Sequence, residues 1–273
     1  MNAGEIRNVA LVGAGNLAHA LALALHQAGL HVAQVRARKP ESAHALAASV
    51  GAEATDLLAP LPIDCDLLIL AVKDDALPEL VAQLAAQNLP DSIIIAHTSG
   101  SMPLSVLAPT QRPHGVLYPL QTFTRGRPVD WHSLPLLLEA DTDTTHGALR
   151  RLALKLSPQV ETMDSERRKR VHLGAVFASN FVNFLVHAAG QVGGDYRRYL
   201  PLLAEVVAKL QELTPIQAQT GPAKRGDRYV IEQHRALLAS EFPELLKLYD
   251  AVTEQITRTA DNPPHTVAAE GKC

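Results

Sequence analysis

Aromatic side chains make up only 4% of the 273-residue sequence, which leaves the core to Leu, Val, Ile and Ala, as in parallel sheets covered by helices. Cysteine is nearly missing as well. Cys65 and Cys273 have no spacing that suggests a metal site or a disulfide framework, and they fit a reducing compartment. None of the 12 histidines falls in a His-x-His or His-Glu-x-x-His arrangement, so no metal is expected. A formal charge of −3 gives no footprint for a polyanion, and no nucleic-acid partner is expected. The densest basic run, Arg167 to Arg170, opens a predicted helix and reads as a solvated face. No uninterrupted apolar run reaches about 18 residues, and the N-terminus lacks the basic and apolar regions of a secretory signal. These absences point away from a membrane and toward the cytoplasm.

What is present suits one large or two modest domains, with 47% hydrophobic residues to build them. Strand-like runs at Arg7–Val12, His31–Val35, Asp66–Val72, Ser92–His97, Gly115–Tyr118, Leu134–Glu139 and Gln159–Met163 alternate with helical patterns at Asn16–Ala28, Glu41–Val50, Leu77–Ala86 and Thr145–Leu156. Such alternation predicts an α/β fold, a doubly wound and mostly parallel sheet. Beyond Met163 only helical patterns remain: a long one from about Glu166 to Gln191, then Tyr199–Leu213, Arg228–Ala239 and Pro243–Arg258. The expected organisation is a Rossmann-type domain over 1–163, an all-helical domain over 164–260 and a flexible tail over 261–273.

The first strand runs into Gly13-x-Gly15-x-x-Ala18 and then directly into a helix. This is the setting a dinucleotide turn requires: a glycine for the tight bend, one for close approach of a pyrophosphate, and a small residue for helix–strand packing. Gly13, Ala14, Gly15, Asn16 and Leu17 are therefore assigned to the cofactor. The acid that usually follows about 20 residues on to bind an NAD ribose is missing, since no Asp or Glu lies between Glu5 and Glu41. In its place stand Arg36 and Arg38, guanidinium forks suited to a 2′-phosphate, so NADP is the expected cofactor. The alternative is a solvated cationic turn ahead of a helix opened by Pro40.

Ligands of open α/β sheets bind beyond the carboxyl ends of the strands, and three predicted ends are polar: Ala71–Asp75, His97–Ser101 and Tyr118–Thr122. Val72, Lys73 and Thr98 are assigned to the cofactor, although Ser, Thr and Asp at such places serve equally as helix caps. On the long helix His172, Val176, Ser179 and Asn183 fall within about 60° of one another, with Asn180 at the rim. His172 is the expected proton relay, with Ser179 and Asn180 orienting substrate. Polar bonding inside a dimer core is the competing explanation of that stripe. The site is expected in a cleft between the two domains, with Arg225 and Asp227 in a loop that closes over it, unless Asp227 only caps the next helix.

Gly13-Ala-Gly15-Asn16-Leu17, Ala71-Val-x-Asp74-Asp75-Ala76, His97-Thr98-Ser99-Gly100, Pro119-Leu-Gln-Thr-Phe123, Phe177-Ala-Ser179-Asn180 and Thr220-Gly-Pro-x-x-Arg225-Gly-Asp227 together resemble a family of Rossmann-like proteins with a C-terminal helical domain of unknown function. Its members are often labelled NADP oxidoreductases and are similar in build to pyrroline-5-carboxylate reductase, deazaflavin-dependent NADP reductases and β-hydroxyacid dehydrogenases. The resemblance implies a helical domain that forms a homodimer. This chain departs from the family at Tyr118, where relatives often have His, and at Lys39, where a Ser commonly caps the next helix. It also lacks the Lys-x-x-x-Asn pair of β-hydroxyacid dehydrogenases on the long helix, since His172 is followed four residues later by Val176. The resulting expectation is an NADP-dependent oxidoreductase that moves a hydride between nicotinamide and a small carbonyl or imine substrate. The alternative is a non-catalytic NADP-binding sensor or scaffold.

Overall fold

A computed structural model describes residues 5–57 and 59–261. The chain forms two compact units, residues 1–179 and 180–273, each described by itself below. Of the expected tail only Asp261 falls among the described residues, at the end of a helix.

The first unit is an eight-stranded sheet in the order β3-β2-β1-β4-β5-β6-β7-β8. Its strands are β1 (Asn8–Val12), β2 (His31–Arg36), β3 (Glu53–Thr55), β4 (Leu67–Leu70), β5 (Ile94–His97), β6 (His114–Pro119), β7 (Leu136–Ala140) and β8 (Val160–Thr162). All neighbours run parallel except β6 and β7. Every residue of β4 and β5 is buried, as expected of strands covered on both faces. The three-residue strand β3 escaped the sequence reading because Glu53, Ala54 and Thr55 include no large apolar side chain to mark a strand.

Four helices follow the expected segments: α1 (Asn16–Gln27), α2 (Pro40–Val50), α3 (Leu77–Ala85) and α4 (Asp143–Leu156). Ala18, Leu21, Ala22 and Leu25 of α1 pack with Leu46 of α2 and Leu149 and Leu152 of α4 in one core. Leu77, Leu80, Val81 and Leu84 of α3 build a second core with Leu68 and Leu70. Thr142 caps α4, its side chain accepting from the Thr145 N–H at 3.2 Å.

Helix α5 (Ser165–Ala175) begins at Asp164, whose carboxylate accepts from the Arg167 N–H at 2.7 Å. One residue of its basic run contradicts the solvated reading. Arg168 is 1% exposed, forms an ion pair with Glu139 of β7 and donates to the Met102 carbonyl. Ser165 joins the same group, donating to the Glu139 carboxylate at 2.8 Å and accepting from the Leu104 N–H at 2.9 Å. Arg167, Lys169 and Arg170 remain exposed. A guanidinium in a run of charges looks solvated in a sequence because the carboxylate that draws it inward lies on a distant strand. The ties of α5 to the sheet explain why the first unit runs to Ser179, beyond the change of pattern at Met163.

After α5 the chain stays helical but widens to a π-helix over Val176–Phe181 before α6 (Val182–Gly193) resumes the α form. By length and composition the continuous stretch Ser165–Gly193 is sufficient to cross a membrane. Its first turns are committed to the sheet through Arg168, however, and Leu185, Ala188 and Val192 line a groove formed by the helical unit. That unit continues with α7 (Leu200–Glu212), α8 (Pro215–Ala218), α9 (Pro222–Arg225), α10 (Arg228–Glu241) and α11 (Pro243–Asp261). Arg235 of α10 clamps Asp250 of α11 with bonds of 2.9 and 3.3 Å. The groove is apolar, about 500 Å³ in volume, and is walled by residues such as Leu238, Leu245 and Val252.

Arg168→Ala strands the Glu139 carboxylate and should cost about 3–5 kcal/mol of stability, whereas Arg167→Ala should stay within about 0.5 kcal/mol. Urea unfolding of the two variants checks the contrast, and equal effects would return the whole run to the solvated class.

Candidate functional site

At the turn between β1 and α1, Gly13 has φ +117°, and a Cβ there would lie 2.2 Å from the Ala71 carbonyl oxygen. Only glycine fits, both for the backbone conformation and for the space. Its N–H donates to the Arg36 carbonyl at 2.8 Å. Gly15 is different: it precedes α1 with no side-chain cap, and no atom lies within 4 Å of the position of a Cβ. The first-turn N–H groups of α1 are thus approached from an open side with no acidic residue among them, the arrangement that receives a phosphate. Ala18 is fully buried against the sheet, Ala14 and Leu17 are half-buried, and Asn16 is exposed, donating through Nδ2 to the Phe123 carbonyl at 3.0 Å. The residues present fit a dinucleotide pyrophosphate.

At the end of β2 the expected pair of cations separates. Arg36 is fully buried, with Nε donating to Gln34 Oε1 at 2.9 Å and Nη2 to the Ala59 carbonyl. It pairs in register with Thr55 of β3, and burial lowers its pKa. Arg36 therefore supports the loop after β3 and is not an open phosphate fork. The alternation of the strand explains this: in β2, Gln34 and Arg36 share a face, and the loop after β3 lies over it, the Pro60 and Ala59 carbonyls accepting from the two side chains. Arg38 and Lys39 are exposed beside a groove of about 300 Å³ lined by Pro40, His44, Thr55 and Asp56. These two supply the accessible positive charge.

The next strand ends divide into packing and site. Val72 is half-buried against the α3 core and Lys73 is exposed. Thr98 is buried, its N–H and hydroxyl directed at the Leu70 carbonyl at 3.3 and 3.5 Å. His97 is fully buried and its Nδ1 accepts from the Ser99 N–H at 3.1 Å. Burial, helped by the Arg168 charge, pushes its pKa down to about 3, so it stays neutral. Ser99 turns its hydroxyl to the N–H groups of Ser101 and Met102, which is ordinary loop chemistry.

His172 of α5 is held against this edge by two residues. Its Nδ1 is hydrogen-bonded to the Tyr118 hydroxyl at 2.9 Å, and the rings meet edge to face with centroids 5.7 Å apart. It also lies so close to Gly100 that a Cβ there would come within 2.6 Å of the imidazole. Tyr118 is 8% exposed, and burial, reinforced by the negative charge of Asp74, raises the pKa of its phenol. The sequence reading named Tyr118 at a polar strand end but did not pair it with His172. The available signal was its position, the last residues of β6 in a polar strand end, but no sequence spacing links residues 118 and 172.

Ser179 donates to the Ala175 carbonyl at 2.6 Å, and Asn180 is exposed and begins the second unit. Both lie in the π-helical stretch, where the 100° rotation assumed for a regular helix does not hold. The expected stripe from His172 to Asn183 is accordingly not continuous. Asp227 starts α10 without capping it by its side chain and instead pairs with Arg225 at 2.6 Å. Among the described residues no group of three or more His, Cys, Asp or Glu is placed to hold a metal ion.

A doubly wound sheet with an open glycine turn, followed by a helical unit, defines a dinucleotide-binding protein of the Rossmann class. The family model described as NADP oxidoreductase, coenzyme F420-dependent, matches residues 8–100, and a domain of unknown function, DUF2520, matches residues 134–256. The putative NADP oxidoreductase BF3122 from Bacteroides fragilis is 37% identical over 93% of this chain and 98% of its own, with a TM-score of 0.87. The chain belongs to this family of NADP oxidoreductases. Protein TM1727 from Thermotoga maritima has 23% identity over 93% of this chain and 99% of its own, TM-score 0.77. An imine reductase from Myxococcus stipitatus, solved with NADP+, has 15% identity over 93% and 94%, TM-score 0.64. These two share the fold. No curated protein matches the chain at a significant level.

Because the folded pKa of His97 lies near 3 and its ordinary value is 6.5, the unfolded chain takes up the proton first. Stability should fall as pH drops from about 6.5 toward 3. In urea titrations across that window His97→Asn should flatten the decline, and an unchanged slope would assign it to other groups.

Proposed function

We propose that the protein is an NADP-dependent reductase acting on a small carbonyl or imine compound, with the Tyr118–His172 pair supplying the proton. The observation that carries this reading is the 2.9 Å hydrogen bond between Tyr118 and His172 beyond the carboxyl ends of the parallel strands. A nicotinamide cofactor, when bound, supplies the hydride. Gly13 to Leu17 hold the pyrophosphate, and Arg38, exposed at the end of β2, receives the 2′-phosphate. Burial keeps Tyr118 protonated, and in the proposed tautomer its hydroxyl donates to His172 Nδ1. The imidazole then carries its own proton on Nε2 and passes it to the oxygen or nitrogen as the adjacent carbon takes up the hydride, while the Tyr118 proton moves to Nδ1 in its place. Gly100 keeps the ring in place.

The test is oxidation of NADPH by the pure protein against a panel of aldehydes, keto acids and cyclic imines. His172→Ala and Tyr118→Phe should lower turnover by about 10²–10⁴-fold and leave cofactor affinity within about two-fold. Arg38→Ala should weaken NADPH far more than NADH. Binding of NADPH without turnover of any panel member would favour a sensor or scaffold.

We also propose that the helical unit pairs with a second copy. Leu202, Val206, Val207 and Leu210 recur along α7 and are 63%, 53%, 60% and 46% exposed, an apolar stripe of the kind that marks an interface. A cytoplasmic location suits the free, buried thiol of Cys65. Sedimentation should show a concentration-dependent dimer, weakened by Val206→Glu; a monomer at all concentrations would refute the pairing.

A further inference from the structure

The segment between β6 and β7 supplies a charge that the dinucleotide turn itself lacks. Between Arg7 and Arg36 the sequence contains no Lys or Arg, so the turn and all of α1 carry no strongly basic side chain. Arg125 fills that position from more than a hundred residues away. Its Nη2 donates to the Ala14 carbonyl at 3.0 Å and lies 2.8 Å from His19 Nε2. Since a guanidinium only donates, His19 must accept through Nε2 and carry its proton on Nδ1. Burial, helped by the Arg125 charge, keeps the pKa of His19 low and favours this neutral form. A second tie runs from Asn16 Nδ2 to the Phe123 carbonyl at 3.0 Å, and Phe123 packs on the α1 core beside Trp131. The segment is therefore fixed across the turn at three points, with an exposed guanidinium beside the open flank of Gly15.

We propose that Arg125 is the pyrophosphate-binding cation of this protein and that His19 is the positioning residue that aims it. The inference rests on the reading that the chain binds NADP(H), and it adds a cofactor contact from outside the βαβ unit. With Nη2 occupied by Ala14 and His19, Nε and Nη1 remain to meet phosphate oxygens. His19 and the Ala14 carbonyl hold the fork in place before any ligand arrives, which reduces the side-chain entropy lost on binding.

The experiment is calorimetric titration of the full chain with NADPH and with adenosine 2′-monophosphate, which retains the 2′-phosphate and lacks the pyrophosphate. Arg125→Ala should raise the NADPH Kd by about 10–100-fold, the range of a charge-assisted phosphate contact, and leave adenosine 2′-monophosphate within about two-fold. His19→Ala should give a smaller loss for NADPH, restored by His19→Gln, whose amide oxygen accepts in place of Nε2. Circular dichroism melts confirm that these surface variants are folded. An unchanged NADPH Kd in Arg125→Ala overturns the proposal while the NADP(H) reading stands, and so does an equal loss for both ligands. Failure of the unaltered protein to bind either ligand overturns both.

Discussion

The setting of α5 on the sheet depends on one ion pair, the buried Arg168 with the part-buried Glu139. Glu139 of β7 lies in register with Val116 of β6, and Tyr118 is two residues further along the same strand. Two strand residues advance about 6.7 Å. Arg168 and His172 are one helical turn apart, an advance of about 6 Å. The two repeats match, so fixing Arg168 over Glu139 delivers His172 to Tyr118. Net stabilisation by a buried pair is often small, because desolvation offsets the attraction. Its effect here is positional: a guanidinium with a carboxylate, a hydroxyl and the Met102 carbonyl around it allows α5 one longitudinal setting on the sheet.

In the proposed function, cofactor holding and proton delivery fall to different parts of the chain. The glycine turn, the end of β2 and the segment carrying Arg125 are the proposed phosphate surroundings. The proposed proton pair is formed by β6 and α5. Both halves rely on a missing Cβ at a point of close approach, Gly13 under the Ala71 carbonyl and Gly100 under the His172 ring. The two glycines solve different problems, since Gly13 also needs its positive φ whereas at Gly100 the requirement is space alone.

The sheet, its helices and the glycine turn were legible in the sequence because each is written in local periodicity or in a motif of fixed spacing. β3 was not, because Glu-Ala-Thr holds no large apolar residue. Arg36 and Arg168 were misread for a shared reason: whether a cation faces water depends on which distant backbone carbonyl or carboxylate comes to meet it, Ala59 in one case and Glu139 in the other. Tyr118 was noted only as a polar strand end and Arg125 not at all, because their partners lie 54 and 106 residues away. The π-helical stretch cannot be anticipated from the apolar pattern, which reads as one uninterrupted helix through Ser179.

The carbonyl that excludes any side chain from Gly13 also settles how the turn behaves before a ligand arrives. Ala71 is bound in turn to β1, its N–H donating to the Val12 carbonyl at 2.8 Å, so the shape of the loop is cast by the sheet. A ligand meeting such a loop has no backbone to order. The association free energy is then spent on contacts instead of on folding a binding loop, and recognition approaches the rigid-body limit in which the encounter geometry is already the bound one.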